Sequence, residues 1–382
     1  MKLLFISHEY PPVGGGGGNA CMNIAEEFVS GGHDVHVLTV LYNHLPDDHT
    51  EIGEKLRIFR VPARRSGVSQ SSFTEMLDFI RRAGPYAEKL CAKEKYDLCL
   101  CFYGMPSGVL ALRLKKKFGL PYVVRFGGGD IPGFQERFKI LYRVLSPKIR
   151  QIWGNAGRLV ANSEGLKTFA QKFCAEYRID VISNGVDSEE FKPLCDKECP
   201  SGKQDETVRL LTVCRLIERK GLQDIVPHIH ELEKKTNKKI EWIIVGDGPY
   251  SAALMDMAAG NGTDDAICFE GHKKRDELAD YYRNADIFVF PSYKEGMPNV
   301  VLEAMASGLP VIMRKSCQGS QELIRDNGIA SDGDFMIDLE EMINMAPGQI
   351  SEMGRQSRLL AETEFSWKHV TDEYEKLFLA LL

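Results

Sequence analysis

The chain has 382 residues, 43% of them hydrophobic and 27% charged, and a formal net charge of −6. That is the composition of a globular protein, and the length suits two domains of about 180 residues each better than one. No stretch approaches the roughly 20 apolar residues of a membrane span, and the opening apolar run 3–6 is far too short for the core of a signal peptide, so a cytoplasmic protein is expected.

In chain order, strand-like and helix-like stretches alternate. Strands are predicted over 3–7, 34–41, 97–102, 122–125, 158–162 and 180–183 in the first half, and over 208–214, 240–245, 266–270, 286–290 and 310–313 in the second. With amphipathic helices between them, the pattern predicts two α/β domains, each a parallel sheet wrapped by helices. A Gly-rich loop, Gly14 to Gly18, follows the first strand after Pro11 and Pro12. It contains Gly15-x-Gly17-x-x-Ala20, which formally fits a dinucleotide fingerprint and raises an NAD-dependent dehydrogenase as a remote alternative. The two prolines move the glycines away from the strand end, and the second strand does not end in an acidic residue for a ribose. The loop reads instead as a flap whose backbone N–H groups close on a phosphate or sugar.

The polar segment 192–207, with Pro193 and Pro200, is the expected linker. Residues 1–186 carry 25 Lys+Arg against 18 Asp+Glu, whereas residues 187–382 carry 23 against 36. A basic first half suits an anionic partner; unevenly placed solubility charge is the alternative. The ten cysteines are scattered through predicted strands and helices as reduced core residues would be, and Cys195 and Cys199 have no His or further Cys at zinc spacing. Asp332-x-Asp334 sits among Gly328, Ser331 and Gly333 with no predicted strand before it, so it reads as a turn. No metal and no cofactor are expected, and no nucleic-acid partner.

The apolar strand 287–290 closes at Pro291, a short loop with Gly296 and Pro298 follows, and a helix-forming run begins at Asn299. Free N–H groups and the positive dipole end make such a helix start an anion seat. Glu295 and Glu303 bracket the joint. Carboxylates there would repel a phosphate they touched, but they suit hydroxyls on either side of it, as on the ribose and the sugar of a nucleotide-sugar. A solvated surface Glu and an ordinary helix Glu are the plainer alternative.

Residues 290–306 (FPSYKEGMPNVVLEAMA) resemble the E-x7-E signature of the retaining glycosyltransferases of family 4, and the resemblance runs almost the length of the chain. Residues 1–39 look like that family's opening strand, Gly-rich loop, helix and second strand. Residues 181–187 (VISNGVD), with Phe191 and Pro193, are similar to its interdomain segment. Residues 211–221 (LTVCRLIERKG) match its R-L-x-x-x-K-G loop with Cys214 where Gly is usual, and 245–249 match its VGDGP turn. The resemblance implies the GT-B architecture: two Rossmann-like doubly wound domains facing each other across a cleft, 1–186 for the acceptor and 187–365 for the donor. A terminal helix, about 366–382, would pack back on the first domain.

It also implies roles. Arg215 and Lys220 would grip the donor diphosphate and stabilise the leaving nucleotide, Glu303 would hold the ribose hydroxyls and Glu295 the sugar hydroxyls. Gly15, Gly16, Gly17, Gly246, His272, Lys273, Gly296, Met297, Pro298, Asn299 and Val300 complete the expected donor contacts, several through backbone. Arg219 reads as solvent-facing. Where many members carry H-G-x-D facing the donor sugar, this chain has Arg125-Phe126-Gly127-Gly128-Gly129-Asp130, so Asp130 and Arg125 are the candidates for the missing polar group; Asp130 also suits a helix N-cap. The basic amphipathic stretch 134–150, ending in Lys148 and Arg150, suits either an anionic membrane or core packing with solvated cations.

The expected activity is retaining, metal-independent transfer from a nucleoside-diphosphate sugar, a UDP-sugar first and GDP-mannose second, to a glycan, lipid-linked or small-molecule acceptor. A sugar-nucleotide epimerase or hydrolase, or a non-catalytic nucleotide-sugar binder, is the alternative.

Overall fold

The computed structural model of the protein describes residues 1–42, 49–52, 55–68, 71–134, 139–193 and 207–382. Cys195, Cys199, most of the expected linker and residues 135–138 of the basic stretch lie outside the described residues. The chain forms two compact units, one of residues 1–184 with 367–382, the other of residues 185–366.

In the first unit, β1 (Lys2–Ile6), β2 (Asp34–Val40), β3 (His49–Ile52), β4 (Leu56–Val61), β5 (Leu98–Phe102), β6 (Tyr122–Arg125), β7 (Arg158–Ala161) and β8 (Ile179–Val181) lie in the order β3-β4-β2-β1-β5-β6-β7-β8. Every pairing is parallel except β3 with β4. Strand side chains alternate between two cores, as period 2 requires. Leu3 and Phe5 face the helices Gly16–Ser30 and Trp367–Leu379, while Leu4 and Ile6 face a core filled by Phe79, Leu110 and Ile152. The C-terminal helix belongs to this unit, with Phe378 stacked on Phe28 at 5.3 Å. Trp367, Val370, Thr371, Tyr374 and Phe378 are its buried residues, and Leu377 and Leu381 are partly covered.

The second unit is an all-parallel six-stranded sheet: β9 (Thr207–Val213), β10 (Lys239–Val245), β11 (Ile267–Gly271), β12 (Ile287–Phe290), β13 (Val311–Arg314) and β14 (Gly328–Ser331), in the order β11-β10-β9-β12-β13-β14. Its buried strand residues form one core with Leu254, Tyr282, Leu302 and Leu339. Inside that core Trp242 Nε1 donates to Thr212 Oγ1 at 3.1 Å, and Thr212 Oγ1 donates to Val289 O at 2.6 Å, which satisfies both polar groups. The segments that enter and leave the unit meet where Val186 N donates to Phe365 O at 2.7 Å. Arg358 ties the entry segment down by donating to the carbonyls of Ser188, Phe191 and Ala306.

The fold has three strands that the apolar patterning missed. β4 reads LRIFRV, and two arginines interrupt its apolar run. β3 is the short antiparallel edge beside it, and β14 is a four-residue edge strand opening on Gly328. The Gly-rich flap is also smaller than expected. Gly16 to Gly18 already form the first turn of the helix Gly16–Ser30, and Gly14 N is fastened to Val68 O at 2.8 Å.

Candidate active site

In open α/β sheets, ligands bind beyond the carboxyl ends of the strands. In the second unit that edge carries the loops after β9, β10, β11 and β12. The first two are zipped together beyond the sheet: Cys214 N donates to Val245 O at 3.0 Å and Leu216 N to Asp247 O at 2.9 Å. This contact requires glycine. Gly246 has φ +136°, and a Cβ there would lie 1.8 Å from Cys214 O; one at Gly248 would lie 2.1 Å from Leu216 O. The glycines of the VGDGP turn thus back the Arg215 loop. Asp247 is exposed and accepts from Gly248 N and Ser251 Oγ.

The Arg215 loop runs on to Gly221, at φ +74°, where a Cβ would come within 2.3 Å of Pro291 O. That close approach brings Lys220 against the loop after β12. Lys220 Nζ lies 2.8 Å from Glu295 Oε1 and 4.9 Å from the Phe290 ring centroid, and its side chain is 12% exposed. Arg219 is not merely solvent-facing: its Nη1 donates to the same Glu295 Oε1 at 3.0 Å and to the carbonyl of Lys294. Ser292 Oγ adds a third bond to Oε1 at 3.1 Å. Arg215 is exposed, and among the described residues its guanidinium has no partner.

From this loop the helix Asn299–Ala306 leads away, entered through Pro298 and with no side chain capping its N-terminus. Val301 N, in the first turn, donates to Pro298 O at 3.1 Å, and Met297 and Pro298 are buried. A Cβ at Gly319 would lie 2.5 Å from Gly296 O, so the loop rests on the Gly319 backbone. Glu303, a little over a turn into the helix, accepts from Tyr282 OH at 2.8 Å through Oε2. Burial pushes its carboxyl above the usual carboxylate range, against the opposing pull of the Tyr282 bond and the Arg275 charge. Tyr282 is buried between Phe191 and Phe288. It fixes the orientation of Glu303, and neither its spacing nor its type announced this in the sequence.

After β11, His272 is exposed, whereas Lys273 is paired with Glu270 at 2.8 Å and lies over the Tyr281 ring. Of the D-x-D pair, Asp332 bonds Lys315 at 2.7 Å and Asp334 caps the helix Phe335–Asn344 by accepting from Met336 N at 2.9 Å. Among the described residues, no group of three or more His, Cys, Asp or Glu side chains is gathered as for a metal ion.

The carboxyl edge of the first sheet holds the remaining candidates. Gly15 and Gly16 are exposed at the start of the helix Gly16–Ser30, and Gly17 packs on Tyr103, whose OH would stand 1.9 Å from a Cβ there. Asp130 is buried, with Oδ2 accepting from Gly104 N at 2.6 Å and Oδ1 from Gly127 N at 2.9 Å. Both oxygens are used to clamp the loops after β5 and β6, so it is neither the cap of the next helix nor a free acid. Arg125, 2% exposed, donates to Asn184 Oδ1 and lies over the Phe102 ring. It is an interior residue, which corrects its assignment to an acceptor surface. The space a side chain at Gly127 would need is filled by Tyr103, held at φ +76° with its OH donating to Glu9 at 2.6 Å. A positive φ is rare for a bulky residue, and the sequence gives no sign of it.

On the helix Lys139–Asn155, Arg150 bonds Cys174 Sγ and Phe173 O and stacks on the Phe173 ring. It is therefore not a free surface cation. Among the described residues, Lys148 reaches only Gln151 of its own helix. Ile140 and Val144, one turn apart on that helix, are 83% and 73% exposed.

Comparison with known proteins covers most of the chain. A family model described as Glycosyltransferase Family 4 matches residues 14–190, and one described as Glycosyl transferases group 1 matches residues 197–339. An uncharacterized glycosyltransferase of Methanocaldococcus jannaschii is 29% identical over 347 residues, 86% of this chain and 84% of that protein. The amylovoran biosynthesis glycosyltransferase AmsK of Erwinia amylovora is 26% identical, covering 96% of both. Among solved structures, HepE of Anabaena in complex with UDP and glucose superposes over the full length of both chains with a TM-score of 0.72 at 18% identity.

Proposed function

The chain belongs to glycosyltransferase family 4, and from that premise we propose that it transfers a sugar, with retention at the anomeric carbon, from a nucleoside-diphosphate sugar to a glycan or lipid-linked acceptor. The observation that carries this reading is the carboxyl edge of the second sheet. There Lys220, Arg219 and Ser292 converge on one oxygen of Glu295, beside a helix N-terminus without a side-chain cap.

Arg215 and Lys220 take the diphosphate, and the positive dipole end of the helix Asn299–Ala306 favours its charge. Glu303, oriented by Tyr282, accepts from the ribose hydroxyls, and Glu295 accepts from the sugar. The acceptor oxygen attacks C1 on the face the diphosphate leaves. The bond from C1 to the phosphate oxygen breaks, the new glycosidic bond forms, and the acceptor's proton passes to the departing phosphate. Arg215 and Lys220 supply the charge stabilisation, and the proposed transfer uses no metal. A UDP-sugar is the favoured donor, with support from HepE, whose solved complex holds UDP; GDP-mannose is second. The role of AmsK in amylovoran biosynthesis supports a surface-glycan acceptor. Ile140, Arg143, Val144 and Lys148 on one helix support peripheral attachment to an anionic membrane at the cytoplasmic face.

The test is nucleotide release from a panel of UDP-sugars and GDP-mannose in EDTA, with and without a glycan and glycolipid acceptor pool. Acceptor-dependent release is expected. Lys220→Ala should lower kcat/KM by about 10²–10³ with the fold intact, the scale of one lost transition-state contact. Near-normal turnover by a folded Lys220→Ala protein would refute the assignment, and release without added acceptor would point to a hydrolase.

A further inference from the structure

Glu295 uses its two oxygens unequally. Oε1 receives Lys220 Nζ at 2.8 Å, Arg219 Nη1 at 3.0 Å and Ser292 Oγ at 3.1 Å. Oε2 has no partner among the described residues. Arg219 is itself pinned at both ends. Its Nη1 also donates to the Lys294 carbonyl, and its own carbonyl accepts from Tyr293 N at 3.0 Å. Residues 293–295 are therefore stitched to Arg219 along their length, and Gln318 N fixes the Glu295 carbonyl at 2.8 Å.

Lys220 has two claims on it. It neutralises Glu295 here, and a diphosphate would draw the same ammonium away. A carboxylate held by Lys220 alone would lose its orientation at that moment. Three donors on one oxygen, two of them independent of Lys220, prevent this. We propose that Arg219, assisted by Ser292, is a positioning residue. It keeps the Glu295 carboxylate in place with Oε2 toward the hydroxyls of the donor sugar while Lys220 turns to the diphosphate. The inference rests on the nucleotide-sugar reading above. It has a second consequence. Because Glu295 competes for Lys220, a bare nucleotide binds against that competition, whereas a sugar nucleotide recovers the loss through Oε2.

The test is titration calorimetry with UDP, GDP, UDP-glucose, UDP-galactose, UDP-N-acetylglucosamine and GDP-mannose, taking the sugar nucleotide the wild type binds tightest and its parent nucleotide. The readout is the ratio of the two affinities. Wild type should favour the sugar nucleotide. Arg219→Ala should reduce that preference about tenfold, the weight of one charge-assisted hydrogen bond, while nucleotide affinity changes little. Arg219→Lys, which keeps the charge without the fork, should retain part of it. Glu295→Gln should abolish the preference and bind the bare nucleotide about threefold tighter, because Lys220 no longer has to leave a carboxylate. Arg219→Ala added to Glu295→Gln should then have no further effect on the ratio, because the two act through one group. Ser292→Ala, a smaller change, repeats the test if Arg219→Ala lowers the melting temperature. An unchanged preference in Arg219→Ala, or an equal loss of nucleotide and sugar nucleotide, would overturn the inference and leave the donor reading standing. A wild type that binds no nucleotide of the set would overturn both.

Discussion

Single residues divide into those that meet a ligand and those that let the loops approach each other, and the glycines separate the two. Gly246 sits at φ +136° with the Cys214 carbonyl where a Cβ would go, whereas nothing lies within 4 Å of a Cβ on Gly15. Gly246→Ala should therefore cost several kcal/mol, by strain and by forcing the loop after β9 away. Gly15→Ala should leave the melting temperature within about 2 °C, since exposed substitutions are near neutral. Equal losses in thermal denaturation would contradict this division. Lys220, Glu295 and Glu303 were legible because their motif fixes residue type, spacing and place on a strand–loop–helix joint. Arg219 was not, because sequence cannot say which way a loop arginine turns. Tyr282 lies 21 positions from Glu303 on a different helix, and only the fold brings them together. Asp130 was read as a reactive group because its partners, the backbone N–H groups of Gly104 and Gly127, are invisible in a pattern of side chains.

The alternation of strands and helices was legible because parallel strands buried on both faces read as apolar runs. β4 escaped because Arg57 and Arg60 interrupt its run; Arg60 is nonetheless buried, in register with Thr39 of β2. The helix Lys139–Asn155 is the element whose outer face has no cover among the described residues. Ile140 and Val144 stand out from it with Arg143 between them and Lys148 one turn on. Vesicles with anionic lipid should sediment with the protein at low salt and release it as salt screens the attraction. Arg143→Glu combined with Lys148→Glu should weaken that binding while donor affinity stays as it is. Arg150 is the wrong residue to change, because it is bound to Cys174 and Phe173 within the unit. Equal sedimentation of wild type and double variant would remove the membrane from the account.

Across the whole molecule, acid should act first through two buried histidines of the first unit. Burial lowers His8 and His36 from 6.5 to about 4, against the raising effect of Glu9 and Glu94 respectively. The unfolded chain takes up these protons as pH falls through 6.5, whereas the folded chain resists until about 4. Their contribution to stability is thus fully present above 6.5 and lost as pH falls through 4, by about 3 kcal/mol for each at most. Denaturant midpoints should fall between pH 7 and pH 5, and His36→Gln should flatten that slope; an unchanged slope would contradict the assignment. The central claim concerns chemistry, and the anomeric configuration of the product tests it most directly. The glycosylated acceptor formed from an α-linked sugar nucleotide should be isolated and its new linkage read by proton NMR. The account predicts an α-linked product, formed equally well in EDTA; a β-linked product would contradict it.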